Sequence, residues 1–400
     1  MHPRRSIGGL TLALALAPLH AQTDKPASTT PVTRAIAVYE WTGDLAHPIA
    51  ARLIPVSLFI HNHLEDAGVY LAQPIPFALQ PGNVYTVERA GQPLTALDLK
   101  TANNPHGAWV GYGRSLTLTE EAEATNPHPT PTTPLPATDN TPDKPALRTK
   151  PKKQKKQPPQ KAYVTPSTTP ILDDPDRPTL ASGPPPTPAT LPELTTLPAD
   201  LHQTAAVSDA TNRPAETFTY TWPSPTIHDQ TLQALEALAL PPLTHYAAFN
   251  HLTPAPTNLS SRPDPERAKR VEGLVERPAG EISTVTLTHA QLLAYTLTAT
   301  APPTYILTAE SPLTTDGPIY ITLIAQPGPT HQLHRILLSI TDATHLDRTP
   351  HLIPIDAADP DATGHASLLF ELRSQTTRQF ALYTLTDATA QQTLLTTPIQ

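Results

Sequence analysis

Hydrophobic and polar residues alternate with a period of two in two separate blocks of the chain. In the first block, Ala35-Ile-Ala-Val-Tyr-Glu-Trp41 is apolar, β-branched and aromatic, as strands prefer. Further short strands are expected at 52–60, 69–73, 84–89, 94–99 and 109–112. Gly43, Asp66-Ala-Gly68, Pro81-Gly-Asn83, Gly91 and Asn103-Asn-Pro105 separate them as turns. Five or six short strands in so short a block predict a small β domain, either a barrel or a sandwich.

The second block runs to the C-terminus. It predicts strands at 282–287, 305–309, 319–326, 333–341, 352–356, 366–373, 379–386 and 392–396. The stretch 292–298 reads either as a strand or as a helix capped by Thr288, with Gln291 three residues on. Gly, Pro and Asp in the connections predict an antiparallel meander or sandwich rather than a βαβ repeat. Ahead of this block, Phe218-Thr-Tyr-Thr-Trp222 alternates like a strand. Leu232, Leu235 and Leu238 lie at helical spacing within 229–240, and Pro241-Pro242 is expected to stop that helix. A second short helix is expected from Asp264-Pro265, with Ala268, Val271, Leu274 and Val275 on one face. The fold class expected is therefore all-β, mainly antiparallel, with two β modules and two short helices before the second.

Between the modules the periodicity vanishes. Residues 122–215 hold 21 of the 51 prolines, and within them Arg148-Thr-Lys-Pro-Lys-Lys-Gln-Lys-Lys-Gln-Pro-Pro-Gln-Lys161 carries seven positive charges and no acid. Proline fixes φ and removes the backbone donor, and large apolar residues are too few to offset ordering entropy. The expectation is a long disordered linker that holds the modules apart. Lys150, Lys152, Lys153, Lys155, Lys156 and Lys161 would meet an anionic envelope polymer or lipid surface by charge. An acidic island, Asp173-Asp-Pro-Asp-Arg-Pro178, follows them.

The ends refine this division. Arg4 and Arg5 precede an apolar run of about ten residues, and Leu19-His20-Ala21 offers a cleavage site. That is the form of a secretory signal, too short for a bilayer span of about 20 residues. The expected layout is a signal peptide at 1–21, a polar leader at 22–34, the small β domain at 35–121, the linker at 122–215, a strand and short helices at 216–280, and the C-terminal β domain at 281–400. Export to the periplasm or medium follows, with no transmembrane segment in the mature chain. There is no cysteine, which excludes disulfides, thiolate metal sites and a cysteine nucleophile. Charged residues make up 16%, against about 25% in ordinary domains. The net charge of −8 argues against specific nucleic-acid binding.

The most specific chemical pattern is Asp359-Pro-Asp361-Ala-Thr363-Gly364-His-Ala-Ser367 ahead of the apolar Leu368-Leu-Phe370. Oxygen-bearing side chains alternate, and a glycine permits a sharp turn, as in loops that wrap a hard cation. The pattern resembles the calcium loops of FG-GAP-type propeller blades. Thr363 and Ser367 replace expected carboxylates, so Asp359, Asp361, Thr363 and Ser367 would make a weak calcium site. The alternative is a plain Asp/Gly hairpin turn. His61 and His63 would share a strand face near Glu65, short of the third ligand that zinc needs. Asp342 and Asp347 flank His345, a pattern that ordinary turns also show. Nucleophile-elbow, zincin, P-loop and dinucleotide motifs are missing.

Four stretches together resemble an uncharacterised family of secreted proteins from soil acidobacteria: Leu79-Gln-Pro-Gly-Asn-Val-Tyr85, Asp173-Asp-Pro-Asp-Arg-Pro178, 341–350 and Arg378-Gln-Phe-Ala-Leu-Tyr383. The resemblance implies export and a shared architecture, and no activity. The expected function is a non-catalytic envelope or secreted binding or structural protein. One alternative is a hydrolase of an envelope or extracellular polymer with its site in the C-terminal domain. Another is a weak calcium-dependent binding module.

Overall fold

A computed structural model of the chain describes residues 32–118, 191–210, 216–253, 285–313, 317–386 and 389–400. These residues are mostly antiparallel β. The N-terminal strands are β1 (Arg34–Asp44), β2 (His47–Ile60), β3 (His63–Asp66), β4 (Val84–Arg89), β5 (Gln92–Asn103), β6 (Val110–Leu116) and β7 (His202–Asp209). They pair in the order β1-β7-β4-β5-β6-β2, and β1 also pairs β2. That pairing closes a six-stranded barrel, with β3 hanging from the outer edge of β2.

The barrel settles the choice between barrel and sandwich for the first module, and it revises the linker. Expected to be disordered as far as 215, the chain instead supplies a barrel strand at 202–209, in register with β1 from Arg34↔Asp209 to Trp41↔His202. Its sequence, His-Gln-Thr-Ala-Ala-Val-Ser-Asp, is too small and polar to look like a core strand. Small residues are what the slot needs, because Ala206 packs into the barrel while Ala205 and Val207 pack outside it. Residues 119–190 and 211–215 lie outside the described residues. The stretch 69–73, expected as a strand, is a turn, and the pairing falls to β3 instead.

The C-terminal strands form two four-stranded sheets. One has the order β11-β10-β9-β8, from β8 (Thr288–Tyr295), β9 (Thr304–Ser311), β10 (Ile319–Pro327) and β11 (Leu333–Asp342). The other has the order β12-β13-β14-β15, from β12 (His351–Ala358), β13 (Ser367–Arg373), β14 (Arg378–Thr386) and β15 (Thr389–Leu395). The stretch that could have been a Thr288-capped helix is thus strand β8. Phe218–Trp222 contributes only a bridge, Thr219↔Tyr295.

A 25-residue helix, α1 (Pro225–Phe249), covers the far side, begun by Ser224, whose Oγ accepts from the Ile227 amide. It does not stop at Pro241-Pro242. Leu235, Ala239, Leu243 and Ala247 repeat every four residues and are buried against β9 and β10. That packing outweighs the hydrogen bonds which two prolines remove, since tertiary burial carries most helix stability. The second expected helix, at 264–277, lies outside the described residues.

The layers stack as barrel, sheet, sheet and helix. Ile36, Val38, Ile54 and Val56 leave the barrel wall outward and meet Leu369, Phe380, Leu382 and Leu394 of the β12–β15 sheet. The other face of that sheet, with Leu368 and Phe370, meets Ile306 and Ile324. Strands β1 and β13 are therefore buried on both faces. The two modules pack directly on one another rather than being held apart.

Candidate functional site

The barrel and its neighbouring sheet are joined by a buried ionic network. Glu40 on β1 and Glu371 on β13 are fully buried. Arg378 Nη1 lies 2.8 Å from Glu40 Oε1 and 3.5 Å from Glu371 Oε2. Arg52 Nε donates to Glu40 at 2.6 Å, and Arg373 Nε to Glu371 at 2.7 Å. Gln203 on β7 bridges the two acids, donating to Glu40 at 2.8 Å and to Glu371 at 2.7 Å. Burial works to raise the Glu40 pKa, but Arg378 and Arg52 more than offset it and hold the carboxyl below its ordinary range. Every acid here is committed to a partner, so the network fastens layers together rather than presenting a reactive group.

Asp356 adds a second fastening. It accepts from the amides of Ala90 and Ala357 at 2.8 Å each, and from Thr204 Oγ1 at 2.8 Å. Burial raises its pKa despite these bonds.

The Asp359 loop is a closed turn. Asp359 Oδ2 accepts from the Gly364 amide at 2.8 Å, and Oδ1 accepts from the Asp361 and Thr363 amides at 3.3 Å. Arg34 Nη1 donates to the Asp359 carbonyl at 3.0 Å, tying the turn to β1. Gly364 takes a φ of +78°. Burial pushes the Asp359 carboxyl up, and nearby Asp361 pushes it further. Asp361 accepts from Thr363 Oγ1 at 2.7 Å, whereas Ser367 bonds Thr384 on the neighbouring strand at 2.8 Å. Thus Asp359, Asp361 and Thr363 are neighbours occupied with one another, and Ser367 faces elsewhere. Among the described residues no group of three or more His, Cys, Asp or Glu could hold a metal ion. His61 and Asn62 form the β2–β3 turn with φ of 52° and 62°, so His61 and His63 are not strand neighbours as expected. Lys150, Lys152, Lys153, Lys155, Lys156 and Lys161 lie outside the described residues.

One cluster that the sequence offered as turn chemistry is more organised than that. At the end of β11, Asp342 is fully buried. Its Oδ1 accepts from the Thr344 amide and hydroxyl at 2.8 and 2.6 Å, and its Oδ2 from Tyr246 of α1 at 2.8 Å. His345 Nδ1 lies 2.8 Å from the same Oδ2. Burial raises the Asp342 pKa, but the bonds from Thr344, Tyr246 and His345 outweigh it and hold the carboxyl at about 2. Thr344, His345, Asp347 and Arg348 border an open concavity of about 650 Å³. A carboxylate that orients an imidazole is half of a general-base arrangement. The nearest hydroxyl, Thr344 Oγ1, is spent on Asp342 rather than turned outward. The Asp-x-Thr-His spacing was the available signal, and the partner Tyr246, 96 residues earlier, had none.

A cleft of about 250 Å³ opens where the barrel rim meets the end of the chain. The 66–72 turn, the 104–109 loop and residues 396–399 form its sides. No stretch of sequence marks it, since its walls come from four separate segments, Ile54 and Pro55 of β2 among them.

Among the described residues no helix is long and apolar enough to cross a membrane. Comparison of the chain with protein-family models, with curated proteins and with solved structures returned no match, so its function is argued from its own geometry.

Proposed function

We propose that this is an exported, non-catalytic protein whose welded β core presents the basic segment 148–161 to an anionic envelope polymer. The observation that carries this reading is that the described chain on either side of residues 119–190 is fixed to the barrel. The chain leaves after β6, and when it returns the Leu191 amide donates to the Gly113 carbonyl of the same strand at 2.8 Å. Glu193 then pairs alongside Ala51, whose amide donates to Pro192 at 3.0 Å.

The described chain therefore stops and resumes on the same barrel wall, so the flanks of the lysine-bearing segment belong to one body. A rigid base with two fixed ends suits a segment that works by charge, since each lysine near an anionic surface contributes about 1 kcal/mol at low salt. Replacing Lys152, Lys153, Lys155 and Lys156 by Gln should abolish salt-sensitive pelleting with envelope fractions while leaving the melting temperature unchanged. Pelleting that persists in the variant overturns the proposal.

A further inference from the structure

The cleft at the barrel rim has the chemistry of a saccharide subsite, and it is independent of the basic segment. Its volume, about 250 Å³, lies just below the roughly 300 Å³ at which small-molecule pockets begin. Pro55, Val69, Trp109 and Ile399 give it an apolar lining, and Trp109 also packs against the barrel core. Val69 is 55% exposed. Asp66 and the exposed Asn104 give it a polar lining.

Asp66 is held in place by backbone donors. Its Oδ1 accepts from the Gly68 amide at 2.8 Å and its Oδ2 from the Thr397 amide at 2.9 Å. A carboxylate oxygen accepts more than one hydrogen bond, so both oxygens can still receive a hydroxyl. The Thr397 bond also makes the site composite, because barrel and chain end must be docked for the cleft to exist.

A pyranose ring matches this division. Its C–H face is apolar and packs on an aromatic wall, while its edge carries hydroxyls for carboxylate and amide groups. Among the described residues no Lys, Arg or His lines the cleft. With Asp66 as its charge, the cleft disfavours phosphates and uronates. We propose that this cleft binds one neutral sugar ring of a glycan, stacked on Trp109 and hydrogen-bonded to Asp66 and Asn104.

The test is a titration of the full chain, with Lys152, Lys153, Lys155 and Lys156 replaced by Gln so that the basic segment does not capture an anionic probe, using an N-acetylglucosamine trimer, cellotriose and a galacturonic acid trimer. Calorimetry and tryptophan emission are read together. One of the two neutral probes should bind in the millimolar range and shift the emission, and the galacturonate should not. Trp109→Ala should weaken binding at least about tenfold. Asn104→Ala, an exposed site that leaves the fold alone, should weaken it several-fold. Failure of both neutral probes overturns the proposal, as does equal binding of the galacturonate. Binding undiminished in both variants, with their melting temperatures unchanged, overturns it too.

Discussion

Arg378 is the member of the buried network whose loss is most informative. Its side chain is 5% exposed, and it lies between two carboxylates that are fully buried. Arg378→Met keeps much of the apolar stem and loses the guanidinium, whose carbon sits 5.6 Å from the Phe380 ring. What the variant removes is charge. Taking one partner from a buried ion pair costs about 3–5 kcal/mol, because the other is left uncompensated. Glu40 retains Arg52 and Gln203, and Glu371 retains Arg373 and Gln203, so the expected loss is at the lower end, about 3 kcal/mol. Urea unfolding followed by tryptophan emission measures it. Two further outcomes follow from the same reasoning. Adding Glu371→Gln should restore about 1–2 kcal/mol, since it neutralises one of the stranded acids. Relative to the parent, the variant should also gain stability from pH 7 toward pH 5. There Glu40 has lost the larger of the two charges that offset its burial, so its folded pKa moves up and protonation relieves it. In the parent Glu40 adds no slope over that range, because its lowered pKa contributes stability that is lost only below its ordinary value of 4.5, so the difference between variant and parent isolates the effect of Arg378 from other titrating groups such as His351. A loss below about 1 kcal/mol, or additivity of the two substitutions, refutes the view of the network as a weld.

Two other predictions are simpler. A protease site placed between Lys150 and Lys161 and cut should leave both pieces in one particle by gel filtration, because β7 stays inserted between β1 and β4; separation of the pieces without denaturant would refute the barrel order. Asp342→Asn should lower stability at neutral pH by about 1–2 kcal/mol. Because the Asp342 pKa is lowered to about 2, its contribution is present above about pH 4 and lost as pH falls toward 2, so the variant should lack that part of the acid-unfolding slope.

How much of this was legible depends on where the governing contacts lie. The strands of the C-terminal sheets could be read because their alternation is local and their turns carry Gly, Pro or Asp. Strand β7 could not, since its Thr-Ala-Ala-Val core is specified by the narrow slot it fills and not by its own hydrophobicity. The helix was half visible. Its leucines give the period, but the cap at Ser224 lies ahead of the first periodic leucine, and the stop at Pro241-Pro242 is overridden by Leu243 and Ala247 packing on a sheet drawn from residues far downstream. For the candidate sites the same division holds. Asp342 and His345 are three residues apart and could be noticed, whereas Asp66, Trp109 and Thr397 become neighbours only once two layers dock.

The barrel order also has a consequence for the timing of folding. Arg34 pairs with Asp209 across 175 positions of chain. As the chain emerges from its N-terminus, β1, β2 and β4 to β6 are complete long before their last partner exists. Until β7 arrives, β1 and β4 each present a row of unpaired amides and carbonyls, open to wrong partners. Closure at such a separation is intrinsically slow. The penalty in equilibrium is small by comparison, since halving or doubling a connecting loop changes its closure cost by only about 0.6 kcal/mol. Residues 119–190 can therefore vary widely in length without touching the stability of the finished barrel, while setting how long its gap stays open.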